Sequence, residues 1–158
     1  MTSSGSALTR RSVAGCELCE HDGQGAGGAL VLRGPDWRVI RPVDAAFPAF
    51  YRLIWNEHVA EFGDLAEPDR VRCMNAVCAI ERVLRDALAP AKVNIASLGN
   101  VVPHLHWHVI ARFDWDSHFP APIWASAQRE VHPDARSRLK VSLQALDEHV
   151  SVALRRLV

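Results

Sequence analysis

The chain has no surplus of charge: Lys and Arg together number 18, and so do Asp and Glu. No basic run stands out, so the field that would gather nucleic acid or an anionic membrane is missing, and neither is expected as a partner. Long apolar runs are absent too. None approaches the length that spans a bilayer, which leaves a soluble, cytoplasmic protein as the expectation. Residues 1 to 15, MTSSGSALTRRSVAG, are small and polar, and no apolar segment follows them as an export signal requires. They read as a disordered tail. Cysteine is scarce, at four. Cys73 and Cys78 fall in a helical pattern about 140° apart around the axis, so they do not face each other and read as ordinary buried thiols. At 158 residues the chain is long enough for one domain with a real core, not for two.

What is present begins with a Gly-rich stretch, GCELCEHDGQGAGG, in which Cys16 and Cys19 form C-x-x-C. Such a knuckle can give two thiolates to one metal, or serve as a redox pair. ALVL (29 to 32) and DWRVIRP (36 to 42) flank Arg33-Gly34-Pro35 and predict a hairpin. After a loop at 43 to 50, YRLIW (51 to 55) reads as a third strand. Pro68 suits a first helical turn, and Val71, Met74, Cys78, Val83 or Leu84, and Leu88 fall roughly on one side until Pro90 ends the run. AKVNIASLGN (91 to 100) and PHLHWHVIARF (103 to 113) predict a second hairpin. From Ala135 onward, Leu139, Leu143, Leu146, Val150, Ala153 and Leu157 recur with the spacing of an amphipathic helix.

Three of only eight histidines stand at alternate positions in PHLHWHVI: His104, His106 and His108. Leu105, Trp107 and Val109 between them favour a strand, whose period of 2 sends the three imidazoles to one face. At a rise of about 3.3 Å per residue the outer two lie roughly 13 Å apart at Cα, too far to share one tetrahedral metal. Neighbouring imidazoles can instead chelate in pairs, or face an anion as nucleophile and hydrogen-bond donors.

HLHWHVI resembles the signature of the histidine triad family of nucleotide hydrolases and transferases. Its surroundings are similar too: Asn94 lies ten residues before His104, Gly99-Asn100 stands where the family usually has Gly-Gln, and Arg112 follows as in the usual Pro-Arg. The resemblance covers roughly residues 16 to 113 and implies an α+β catalytic domain there, with an antiparallel sheet of about five strands under one long helix. Residues 114 to 158 then form a C-terminal extension, with HFPAPIW (118 to 124) typical of one bacterial branch and an amphipathic helix packed on the same domain or on a dimer partner.

The resemblance also implies roles. His106 would attack the α-phosphorus of a nucleotide, forming a nucleotidyl-histidine intermediate that water releases, with a backbone carbonyl on its second nitrogen. His108 would donate to the phosphoryl oxygens, and Asn94 and Asn100 would contact phosphate or ribose. Cys16, Cys19, His58 and His104 match the zinc ligands of many bacterial members; a closed Cys₂His₂ shell makes that Zn2+ structural. A homodimer and a purine nucleotide are the implied partners. The substrate would be a nucleoside 5′-phosphoanhydride or phosphoramidate, such as a diadenosine polyphosphate or an adenylyl conjugate.

Three positions depart from the family pattern: Val101 where many members have Ser or Thr near the leaving group, Ala111 for the proline, and Phe50-Tyr51 for a common histidine. Two other readings are a zinc-stabilised nucleotide-binding or regulatory protein with little turnover, and an enzyme using His106 and His108 as ligands of a catalytic metal. Release of AMP separates the first from a hydrolase, and chelation separates the second.

Overall fold

The computed structural model describes residues 11–21 and 27–158. Residues 1–10 of the expected tail, and the Gly-rich stretch at 22–26, lie outside the described residues. Five strands form one fully antiparallel sheet: β1 (Gly28–Arg33), β2 (Trp37–Pro42), β3 (Phe50–Trp55), β4 (Lys92–Ala96) and β5 (His106–Arg112), in the order β1-β2-β3-β5-β4. A single turn, α1 (Glu17–Glu20), precedes them; the long α2 (Glu67–Leu88) links β3 to β4, and α3 (Leu143–Arg155) closes the chain. This is the α+β architecture expected, with both hairpins in place. Among the described residues, no helix is long and apolar enough to cross a membrane.

The alternation along β2, β3 and β5 sorts side chains onto two faces. Trp37, Val39, Tyr51, Leu53, Trp55, Val109 and Ala111 pack beneath α2 and α3 in the main core. Each such large apolar side chain contributes about 1.5–3 kcal/mol by leaving water. The opposite face carries Ile40 and Ile54, covered by Cys16 and Leu18, and a second small cluster of Phe47, Phe50 and Ile110. His106 and His108 belong to this second face, in phase with Ile110.

The helices differ from expectation in phase and extent. On α2 the buried stripe is Cys73, Ala76, Val77, Ile80, Leu84 and Leu88, whereas Val71 is 53% exposed and Met74 and Cys78 are only partly covered. The stripe is turned because a 22-residue helix offers two overlapping apolar rows, and the sheet takes the one that begins at Cys73 and includes the small Ala76. All four cysteines are free thiols. The C-terminal helix begins later than its periodicity suggests. Ala135–Arg138 is a short 3-10 turn, Leu139 turns extended, and only at Ser142, whose Oγ accepts from the Ala145 N–H, does α3 start. Its buried stripe is Leu143, Leu146, Val150 and Leu154 rather than Ala153 and Leu157.

α3 packs on α2 and β1, and a polar clamp fixes it to the sheet. Arg41 grips Asp147 with two bonds of 2.8 and 2.9 Å, and the chain's single tyrosine, Tyr51, donates to the same carboxylate at 2.7 Å. Burial beside that carboxylate pushes the Tyr51 phenol far up.

Candidate active site and metal centre

The three histidines divide where the strand begins. β5 starts at His106, not at Pro103, because the preceding residues pair elsewhere: Leu105 N–H donates to Val59 O at 2.7 Å and Leu105 O accepts from Trp55 N–H at 3.1 Å. His104 sits in the bend before the ladder and is fully buried. The expected single stripe of three imidazoles is therefore one plus two.

His104 turns into a cluster with Cys16, Cys19 and His58, whose donor atoms all lie within 4.8 Å of one another. Cys16 Sγ and Cys19 Sγ stand 3.4 and 3.5 Å from His104 Nδ1, and Cys19 Sγ is 3.3 Å from His58 Nδ1. Tetrahedral zinc with ordinary Zn–S and Zn–N bonds sets sulfur and nitrogen about 3.6 Å apart, so the spacing fits that ion. The tautomer fits as well. His104 Nε2 lies 2.7 Å from Trp55 O, and a carbonyl only accepts, so the proton is on Nε2 and Nδ1 offers its lone pair to the cluster. The N-terminal turn supplies the thiolates: Cys19 and Glu20 N–H both donate to Cys16 O. The four residues could hold a metal, and the closed Cys₂His₂ set suits a structural zinc.

His106 has the opposite tautomer. Its Nδ1 lies 2.6 Å from His104 O, which places the proton on Nδ1 and leaves Nε2 with a free lone pair. Burial lowers its pKa, against the pull of that carbonyl, and the Arg52 charge lowers it further. His108, its ring 4.9 Å from that of His106, is pushed down to about 3, mainly by burial, then by His106 and Arg52. Both imidazoles are neutral at pH 7.

They line a cavity of about 870 Å³ with Leu18, Arg52, Asn100, Val101 and Trp124. The loop between β4 and β5 forms its rim: Gly99 adopts a left-handed φ of 75° that a side chain would strain, and so turns Asn100 into the mouth. Val101 is 94% exposed on this rim. Asn94 lies on the same face of the sheet but outside the cavity lining, and its Oδ1 accepts from Arg112 Nη1 at 2.7 Å. The other departures have visible places: Phe50 stacks on the His108 ring at 5.4 Å, and Ala111 is buried under the helices.

Two further residues, Arg52 and Trp124, line the cavity without a sequence pattern that assigns them to it. Arg52 interrupts the apolar strand FYRLIW at a position in phase with Phe50 and Ile54, and a lone charge inside such a run was the available clue. Trp124 comes from the C-terminal extension, 52% exposed, with its ring edge-on to His108 at 5.4 Å. The chain reaches there because Arg112 and Asp116, both buried, pair through bonds of 2.8 and 3.0 Å, while Asp116 also accepts N–H bonds from Phe113, His118 and Phe119. Arg112 further donates to Ala121 O at 2.8 Å. This knot folds residues 113–124 back over the sheet.

Comparison with known proteins agrees with this geometry. Residues 26–115 match the model of the HIT domain family. A histidine triad protein from Bradyrhizobium japonicum is 30% identical, with 82% of this chain and 90% of that one covered at a TM-score of 0.62. One from Marinobacter aquaeolei VT8 superposes at a TM-score of 0.66 with 22% identity, covering 84% and 93%. A Zn-bound histidine triad family protein from Mycobacterium smegmatis shares the fold at 0.57 with 17% identity, covering 90% and 95%. No curated protein sequence matches. The domain match spans more than half of the chain and contains all three histidines, so this protein belongs to the histidine triad family.

Proposed function

We propose that the protein is a nucleotidyl hydrolase that cleaves a nucleoside 5′-phosphoanhydride or phosphoramidate through His106. The observation that carries this reading is the 2.6 Å contact between His106 Nδ1 and His104 O, which reserves the Nε2 lone pair for the cavity. A neutral imidazole so oriented is a ready nucleophile at pH 7. Nε2 attacks the α-phosphorus, the P–O or P–N bond breaks, and the leaving group departs with the electron pair. Water then attacks the nucleotidyl-histidine: its oxygen bonds to phosphorus as the P–Nε2 bond breaks, its proton passes to solvent, and His106 is regenerated.

His108 keeps one N–H in its neutral form and donates it to a phosphoryl oxygen as charge builds there. Its Nδ1 is buried with no hydrogen-bond partner among the described residues, which leaves a polar atom for a bound group to satisfy. Asn100 on the rim contacts phosphate or ribose, and Asn94 acts by holding Arg112. Cys16, Cys19, His58 and His104 would hold a zinc with no open reacting position, and it would tie the N-terminal turn to the residues preceding β5. A homodimer and a purine base complete the reading, as does a location in the cytoplasm.

Val101 bears on the choice of substrate. It lies exposed at the mouth and has no hydroxyl to protonate a departing amine, whereas a polyphosphate leaves as a stabilised anion. Phosphoanhydrides are therefore the favoured class. The test is incubation of the purified protein with a diadenosine polyphosphate and with an adenylyl-amine, followed by product identification. AMP is expected from the first and less from the second. Intact substrates in the presence of demonstrable binding would replace the hydrolase by a binding or regulatory protein, and loss of activity on chelating a catalytic metal at His106 and His108 would replace the covalent route.

A further inference from the structure

A phosphate held in the cavity calls for a cation among the lining residues. Arg52 is the only arginine or lysine that lines it among the described residues. In β3 it is paired in register with His108, on the same face of the sheet, and Ile54 beside it pairs with His106. Directly opposed residues on one face stand about 5 Å apart and diagonal ones about 7–8 Å, so a guanidinium at this position reaches the space above both imidazoles.

Its state is unusual for an arginine. The side chain is half-buried, Nε is wholly buried and unpartnered, and no hydrogen bond or ion pair satisfies the guanidinium within the described residues. Asp44, the acid whose field reaches it, accepts at its Oδ1 from the backbone N–H groups of Ala46 and Phe47. What Arg52 does have is a platform. Its guanidinium carbon lies 5.3 Å from the centroid of the Phe50 ring, which in turn stacks on His108. A cation over a ring is held by its face, while the N–H groups at its edge stay open. Among the described residues the two fully buried arginines are anchored: Arg112 by Asp116 and Asn94, and Arg38 by the Leu18 carbonyl.

We infer that Arg52 is the anion-binding residue of the cavity, holding a phosphate of the nucleotide with its planar N–H fork and selecting for polyanionic substrates. A guanidinium matches phosphate bidentately, and the partial burial that leaves Arg52 unsatisfied also strengthens its grip on an arriving anion. Asn100 and His108 supply further donors, and among the described lining residues, which also include Glu17, Arg52 is the contact that favours an anion. This rests on the nucleotide reading of the site.

The test compares adenosine with AMP on the zinc-loaded protein, by calorimetry and by thermal shift. In the wild type AMP binds and stabilises more than adenosine. In Arg52→Gln the AMP affinity falls roughly ten- to hundredfold while adenosine binding is unchanged, and Arg52→Lys recovers part of the loss because it restores charge without the fork. For a diadenosine polyphosphate the loss in Arg52→Gln is carried mainly by KM. Equal weakening of AMP and adenosine would overturn the proposal, since Arg52 would then hold the nucleoside. Should the variants not fold, the wild type decides: AMP stabilising no more than adenosine would overturn it. If neither ligand binds the wild type, the nucleotide reading itself falls.

Discussion

His104 and His106 stand two residues apart and are held by the same device with opposite results. Each has its proton fixed by a backbone carbonyl, but on different nitrogens: Nε2 to Trp55 O in His104, Nδ1 to His104 O in His106. The free lone pair of the first points into a closed set of sulfur and nitrogen donors, and that of the second is left for an open cavity. Even the link between them is the His104 peptide, whose carbonyl serves the second histidine while its ring serves the first. Residue type therefore says little about role here; which ring nitrogen carries the proton decides between ligand and nucleophile.

The most severe break in this comparison is at His106. Replacing it with Asn should remove turnover by about 10⁴-fold or more, as expected for a lost nucleophile, with zinc content and melting temperature unchanged. Single-turnover product analysis checks it; more than a few per cent of residual rate would transfer the attacking role elsewhere. The complementary break is at the metal set. Cys16→Ser or Cys19→Ser should lose the zinc measured by elemental analysis and lower the melting temperature by about 10 °C, corresponding to roughly 3 kcal/mol or more. An unchanged melting curve would leave the cluster without a structural role.

A third measurement sharpens the contrast through protons. Native His108 resists protonation down to about pH 3, while an unfolded histidine accepts a proton near 6.5. Between these values the unfolded chain binds the extra proton, so stability falls as pH falls through that window, by at most about 1.4 kcal/mol per unit. His108→Gln should flatten the melting-temperature profile there, and identical profiles would show that this burial costs nothing. The mildest change is at the rim. Val101→Ser should raise kcat/KM on an adenylyl-amine by about tenfold, or ~1.4 kcal/mol of barrier, and leave a diadenosine polyphosphate nearly untouched. Equal effects on both substrates would remove Val101 from leaving-group chemistry.

How much of this could be read before the fold was known depended on whether the signal was local. β2, β3 and β5 are visible because alternation of large apolar residues is written within each strand, and the histidine run names its family by itself. Cys16 and Cys19 are paired by their C-x-x-C spacing, but His58 and His104 stand far along the chain, and only the family resemblance joined them to that pair. The phase of α2 was lost because Val71 and Cys73 head competing apolar rows, and the sheet makes the choice. The break at 139–142 escaped because leucine spacing continues through a segment that Ser142 then caps. Arg52 and Trp124 were passed over for a related reason: each enters the cavity through a tertiary event, a register with His108 and a chain reversal at Asp116.

That reversal gives the cavity an optical property. The chain has five tryptophans; Trp37 and Trp55 are sealed in the core and Trp107 and Trp115 are half-covered, but Trp124 meets solvent at the edge of the His108 ring. An occupant that displaces water there changes the polarity around one indole and leaves the other four nearly untouched. Because Trp124 is brought into place by the Arg112–Asp116 knot rather than by the strands, its emission also reports whether residues 113–124 are docked. The protein thus carries an unlabelled fluorescence gauge of its own site.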